Sequence, residues 1–233
     1  MRIAIVSAMR KELDLVLAQM RKYGECEEKD FGLFTGYVGE IGGHDVLAMQ
    51  CGIGKVNSAL RTLRLIDDFG PDLVINSGVA GGVDESMGIG SVLVADRVAY
   101  HDVWCGPGTD PGAADGFPQK LESDRNAVEI LRRIAEKEEN PCRIGLIASG
   151  DKFISRPEEV AEIKAIFPEA LGCDMESGSI AQTCMMCHTP FIVVRVLSDM
   201  PGGGENISEY ENFWNEAPER TFEAVMKLIT ALG

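Results

Sequence analysis

The sequence predicts an α/β fold: one three-layer domain spanning residues 1–233, with a central mixed sheet flanked by helices. Three observations predict it. Runs rich in β-branched residues ("RIAIVSA", "DLVINSG", "SVLVADRVAYHD", "RIGLIAS", "PFIVVRVLSD") read as strands of a largely buried sheet. Between them, apolar residues recur every three or four positions, the spacing of helices. No repeat, linker or low-complexity tract divides the chain, so the alternation belongs to one domain.

"RIAIVSA" is a buried first strand, and Leu13, Val16, Leu17 and Met20 mark a helix that stops near Gly24. "GLFTGYVG" and "HDVLAMQCG", separated by the turn-like "EIGG", form a hairpin. Val56, Ala59, Leu60, Leu63 and Ile66 mark a second helix. Further helices are expected at 124–137, 157–166 and 176–187, with "ALGC" a short strand before the last of these. Ser208 and Glu211 have capping-box spacing for a short helix. Pro218 suits the first turn of the final helix, whose apolar stripe is Phe222, Val225, Ile229 and Leu232. The loop 103–119, "VWCGPGTDPGAADGFPQ", is long and rich in Gly and Pro, with Trp104 and Phe117 expected at the surface. Loops of this length usually cover a site or a partner.

With 22 Lys and Arg against 37 Asp and Glu, the net charge is −15, and no basic cluster fit to neutralise phosphates appears. Nucleic acid is therefore not an expected partner. "MRIAIVSAMRKEL" reaches charged residues too soon to be a secretion signal, and no apolar run is long enough to span a bilayer. Seven cysteines without a framework imply a reducing, cytoplasmic setting. His44, His101 and His188 have no ligand spacing, so neither a metal nor a cofactor is expected.

Polar residues gather at the carboxyl ends of the apolar strands, where open α/β sheets bind ligands. Glu12 lies one turn past the first strand, and "SGVAGG" (77–82) follows "DLVIN". Gly150, Asp151 and Phe153 follow "IGLIAS"; Asp174 and Glu176 follow "ALGC"; Ser198 and Asp199 follow "FIVVRVL". Buried carboxylates cost free energy without partners, so the set points to a polar ligand. "SGVAGG" lacks dinucleotide spacing, and "CGIGKV" lacks the first glycine and the hydroxyl of a phosphate-binding loop.

Seven strings, "IVSAMRKEL", "CGIGKVNSA", "INSGVAGGV", "YHDV", "SGDKFI", "DMES" and "RVLSDM", stand in an order and spacing that resembles the methylthioadenosine/S-adenosylhomocysteine nucleosidases of the nucleoside phosphorylase superfamily. The likeness is close over residues 1 to about 200 and looser over the last 30 or so. It implies a nucleoside phosphorylase-like fold. It also implies an N-ribosyl hydrolase of methionine salvage that uses water to release adenine from 5′-thio-substituted adenosines, through an oxocarbenium-like transition state. By the same resemblance Asp199, oriented by Ser198, donates a proton toward purine N7, and Glu12 activates water. Glu176 binds the ribose hydroxyls beside Met175, and Val79 lies near the ribose. Phe153 packs on the base while the Ile154 backbone reads its edge, and Met9 and Ile53 line the 5′-thio tail. Asp174 has a supporting role.

The sequence departs from the family's usual pattern at Arg10 and Lys11, where acids are common, and at Val79, where Ser is. After Asp199, "MPGGGENISEYENFW" replaces the usual segment, so that Tyr210 or Phe213 takes the role of an aromatic over the 5′ end. The resemblance further implies a homodimer in which Val103, Trp104 and Phe117 of one subunit close the pocket of the other. Two alternatives remain open: a phosphorolytic purine or uridine phosphorylase, with Arg10 and Lys11 as the cations, and a nucleoside-binding protein without turnover.

Overall fold

The computed structural model describes residues 1–137, 142–201, 206–216 and 220–232. Its elements in chain order are β1 (Arg2–Ser7), α1 (Arg10–Met20), β2 (Glu27–Asp30), β3 (Thr35–Ile41), β4 (His44–Gln50) and α2 (Lys55–Phe69). β5 (Leu73–Gly82), β6 (Val92–Tyr100), β7 (Leu121–Glu122), α3 (Arg125–Ala135), β8 (Arg143–Ser149) and α4 (Pro157–Ile166) follow. The chain continues through β9 (Ala170–Asp174), α5 (Ser177–Met186), β10 (Phe191–Asp199), α6 (Asn206–Glu216) and α7 (Arg220–Ala231). The expected strands and helices all form, and the unforeseen β2 pairs antiparallel with β3 as the outermost strand.

The sheet is mixed and partly closes on itself. β5 pairs in parallel with β1 and β10 and antiparallel with the end of β9, while β10, β6, β8 and β9 pair in turn, so these five strands form a ring. β1, β4, β3 and β2 extend outward from β5 as an open ribbon. Every residue of β10 is buried, which explains its unbroken apolar run "FIVVRVL". Helices α1, α3 and α7 cover one face through Leu17, Leu131, Phe222 and Ile229, whereas α5 covers the other through Ile180 and Cys184. Full burial of each such Leu, Ile or Phe side chain contributes roughly 1.5–3 kcal/mol.

Three expectations need correction. α2 does not bury the apolar residues that mark it: Ser58, Thr62, Leu65 and Phe69 face inward, and Val56, Leu60 and Leu63 are exposed. The first half of the inner face, Ser58 and Thr62, is small and polar because α2 packs closely on α5, where Ser58 Oγ lies 2.6 Å from Ser179 Oγ. α6 starts at Asn206, which places Ser208 and Glu211 inside the helix; Glu209 reaches back instead, its carboxylate accepting the Met200 N–H at 2.9 Å. Pro218 lies outside the described residues. Within the long loop, Trp104 is 62% exposed, but Phe117 is half-buried against its own core, since the loop folds back over the chain.

Gly112 holds that fold-back. Its φ is +88°, its N–H donates to the Val103 carbonyl at 2.7 Å, and an added Cβ would stand 2.5 Å from Phe167 Cζ. Gly112→Ala combines left-handed strain with a core clash, so it is expected to lower unfolding stability by about 2–4 kcal/mol. Urea denaturation checks this; an unchanged midpoint would show that the loop is not anchored there.

Candidate active site

A cavity open to solvent lies at the carboxyl ends of β1, β5, β8 and β10. All ten of the expected catalytic and substrate-binding residues line it: Met9, Glu12, Ile53, Val79, Phe153, Ile154, Met175, Glu176, Ser198 and Asp199. Val103, Trp104 and Phe117 do not.

Glu12 sits in the first turn of α1, where the helix N-terminus favours negative charge. One carboxylate oxygen accepts the Met9 N–H at 2.8 Å and the other the Val79 N–H at 2.9 Å, fixing the group between two elements. Burial pushes its pKa up, opposed by Arg195 and by these two N–H groups. Glu176 ends the short turn between β9 and α5, and its Oε1 accepts the Gly54 N–H at 2.8 Å. Burial and then repulsion by Asp174 raise its pKa, with Arg195 opposing them. Gly54 has φ +90° at the start of α2, a conformation that suits glycine and aims its N–H at Glu176.

Beneath these carboxylates lies a buried cation that strand-end reasoning missed. Arg195, midway along β10, donates from Nε (2.9 Å) and Nη2 (2.7 Å) to Asp174 Oδ2, and from Nη2 to Asn76 Oδ1 at 2.6 Å. Asp174 Oδ1 accepts from the Ser177 hydroxyl at 2.8 Å and from the Ser177 N–H at 3.2 Å. Burial works against the guanidinium charge, but Asp174, Glu12 and Glu176 together more than offset it. Gly78, opposite Arg195 in the register, leaves room for both groups: a Cβ there would be 2.4 Å from Glu12 Oε1 and 2.8 Å from Arg195 Nη1. The signal for Arg195 was present, as a lone cation inside "FIVVRVL".

Asp199 closes β10 beyond a register shift between Leu197 and Asp199, a bulge of the kind that re-aims a side chain. The Ser198 hydroxyl donates to Asp199 Oδ1 at 2.7 Å. The roof is aromatic and apolar. Phe153 meets Tyr210 edge-on, with centroids 5.7 Å apart, and the Tyr210 hydroxyl lies 3.3 Å from Met9 Sδ. Of the two aromatics considered, Tyr210 therefore reaches the cavity, whereas Phe213 is buried elsewhere. Lys152 also lines the cavity and pairs with Glu159 at 2.8 Å. Arg10 and Lys11 do not line it; Arg10 pairs with Asp14, and Lys11 lies over the Trp214 ring.

The arrangement can hold a polar ligand between carboxylates, stack a flat ring beneath Phe153 and Tyr210, and move protons at Glu12 and Asp199. Because Glu176 binds its proton more tightly in the folded chain than in the unfolded one, folding loses stability as pH rises through that interval. Glu176→Gln is expected to stabilise the ligand-free protein by about 1–3 kcal/mol at about pH 8, and by much less at about pH 5. Thermal unfolding at the two pH values checks the sign; equal effects at both would mean that the carboxylate is not strained by burial.

Residues 2–230 match the model of the phosphorylase superfamily. The chain is 35% identical over 231 residues, 99% of its length and 100% of the relative's, to a 5′-methylthioadenosine/S-adenosylhomocysteine nucleosidase of Staphylococcus aureus. It is similar to the S-adenosylhomocysteine nucleosidase of Streptococcus pyogenes, solved with 5-methylthiotubericidin, at TM-score 0.94 and 34% identity, covering 100% of this chain and 98% of that one. It is also similar to the 5′-methylthioadenosine/S-adenosylhomocysteine nucleosidase of S. pneumoniae, solved with a transition-state inhibitor, at TM-score 0.93 and 32% identity over the full length of both chains.

Proposed function

The chain belongs to the phosphorylase superfamily and, within it, to the 5′-methylthioadenosine/S-adenosylhomocysteine nucleosidases, and on that premise we propose how its cavity hydrolyses the N-glycosidic bond of these two nucleosides. The products are adenine and the 5′-thio-substituted ribose. The observation that carries the reading is the charge of the cavity wall. Glu12, Asp174, Glu176 and Asp199 line it, against Lys152 as the cation among the described lining residues. Such a wall favours an oxocarbenium-like ribose and repels a phosphate dianion, which phosphorolysis would require as its nucleophile. The cations considered for a phosphate clamp, Arg10 and Lys11, lie outside it.

In this reading the adenine packs against Phe153, and the Ile154 backbone pairs with its edge. Asp199 delivers a proton toward N7 of the leaving purine, aimed by the Ser198 hydroxyl. Glu12 holds the attacking water at C1′ and accepts its proton. Glu176, braced by Gly54, accepts from the ribose hydroxyls, with Met175 and Val79 beside the sugar. Met9, Ile53 and Tyr210 enclose the 5′-thio group. The bond from C1′ to the purine breaks while the water oxygen bonds to C1′, so atoms and charge balance without a cofactor. A nucleoside-binding protein would have no use for an acid and a base on opposite sides of this bond.

Adenine release from 5′-methylthioadenosine in phosphate-free buffer tests the reaction. The native chain is expected to release it at a rate independent of added phosphate, and Asp199→Asn to be slower by ~10²–10⁴-fold while still binding the nucleoside. Strict phosphate dependence would end the hydrolase reading.

Assembly as a homodimer belongs to the same proposal. Ile53, Val56, Leu60 and Leu63 present an exposed apolar stripe along the start and outer face of α2, and Trp104 is exposed nearby. The two regions are tied together, since Lys55 Nζ pairs with Asp102 at 2.5 Å. Exposed apolar area of this kind fits an interface. Trp104 with Val103 then closes the 5′ pocket of the partner, and Phe117 braces the loop from its own core. A cytoplasmic location accords with seven free thiols, and no helix of the described residues is long and apolar enough to cross a membrane. Trp104→Ala is expected to raise KM for 5′-methylthioadenosine roughly tenfold with little change in kcat, as loss of an interface anchor would. A fully active monomer in sedimentation would overturn the assembly.

A further inference from the structure

Asp151, two residues past β8, is one of the strand-end polar residues but does not line the reaction cavity. Its side chain is used elsewhere: Oδ1 accepts the N–H of Lys55, the first residue of α2, at 2.8 Å. That helix begins at Gly54, which has no side chain to cap it, so a carboxylate from the turn after β8 supplies the cap. Gly54 permits the close approach, because an added Cβ would stand 2.9 Å from Asp151 Oδ1. The Asp151 N–H donates to Asp102 Oδ2 at 2.8 Å, and Lys55 Nζ donates to Asp102 Oδ1 at 2.5 Å. These hydrogen bonds close a circuit through Asp102, Asp151 and Lys55, which come from the turn after β6, the turn after β8 and the start of α2.

Two of these segments carry groups that face the cavity. The turn after β8 bears Phe153, and its Gly150 N–H donates to the Asp174 carbonyl at 3.0 Å, which ties the turn to β9. At the helix start, successive amides aim at different carboxylates. The Gly54 N–H points at Glu176 Oε1 and the Lys55 N–H at Asp151 Oδ1, each at 2.8 Å. A rotation of the backbone at Gly54 would disturb both bonds, so the span from Phe153 to Glu176 runs through Asp151.

We infer that Asp151 is a positioning residue: anchored by Asp102, it sets the span between the adenine-binding turn and Glu176, so that base and ribose are gripped in register. The inference rests on the proposed nucleosidase reading and deepens it. Asp151 acts through Gly54 and the turn it belongs to, without touching the substrate. Holding both halves of a nucleoside at fixed separation lowers the ordering cost of binding and places the bond to be broken between the acid and the base.

The test compares Asp151→Ala with Asp151→Asn. Both remove the same charge at an exposed position, but Asn keeps an oxygen that accepts the Lys55 N–H. Asp151→Ala is expected to raise KM for 5′-methylthioadenosine roughly tenfold, and Asp151→Asn to stay within about threefold of the native chain. Inhibition by free adenine, which engages the Phe153 side alone, is expected to weaken less than about twofold in both. The acid limb of kcat/KM gives a second readout. Asp174, Glu12 and Arg195 act on Glu176, and the Gly54 N–H favours its charged form. With Gly54 released, Glu176 keeps its proton to higher pH, so the limb is expected at higher pH in Asp151→Ala than in Asp151→Asn. Equal KM values in the two variants, parallel weakening of adenine and nucleoside, or coincident acid limbs would overturn the positioning role. If the native chain releases no adenine, the nucleosidase reading fails, and calorimetric Kd values for adenine and 5′-methylthioadenosine in the two variants still decide the role of Asp151.

Discussion

The ion pair between Arg195 and Asp174 is the constraint on which the site depends. A guanidinium taken out of water costs several kcal/mol unless matched, and here Asp174 and Asn76 match it through three hydrogen bonds. Its positive charge then makes it possible to bury Glu12 and Glu176 around the same space. The pair also sets demands on the fold. β10 must run beside β5 so that Arg195 faces Gly78, and β9 must deliver Asp174 where β5 and β9 meet. Ring closure and a cluster of buried carboxylates are thus two aspects of one arrangement.

Two of the cavity's carboxylates are held by backbone donors from another element, and a third by a neighbouring hydroxyl. Glu12 of α1 is held by Val79 of β5, Glu176 by Gly54 at the start of α2, and Asp199 by its own neighbour Ser198. These carboxylates are bound where they stand before any substrate arrives. Preorganisation of this kind is what electrostatic stabilisation of a transition state requires. The cost appears as raised carboxyl pKa values, which burial imposes and Arg195 only partly relieves.

Much of this was legible in the sequence, and for a physical reason. Strands covered on both faces must be apolar throughout, so polar residues at their ends stand out; Glu12, Glu176 and Asp199 were found in that way. Arg195 escaped the same search because it lies within a strand, and its importance comes from partners on β5 and β9. The inward face of α2 was illegible, since Ser58 and Thr62 look like surface residues until α5 is seen against them. β2 was missed because "EEKD" has no apolar alternation and is held only by backbone pairing to β3. Phe117 looked like a companion to Trp104, but sequence spacing does not tell which of two aromatics a loop turns inward.

That outer strand has a further consequence. Within the five-stranded ring every strand has neighbours on both sides, so little unpaired backbone is offered there. The ribbon beyond β5 ends at β2, whose four residues Glu27, Glu28, Lys29 and Asp30 are all charged and exposed. A neighbouring chain that tried to continue the sheet would have to bring its own backbone against that row of charge. Strands guarded in this way resist templated growth into fibrils. The open margin of the sheet is thus closed to further strands by charge rather than by cover.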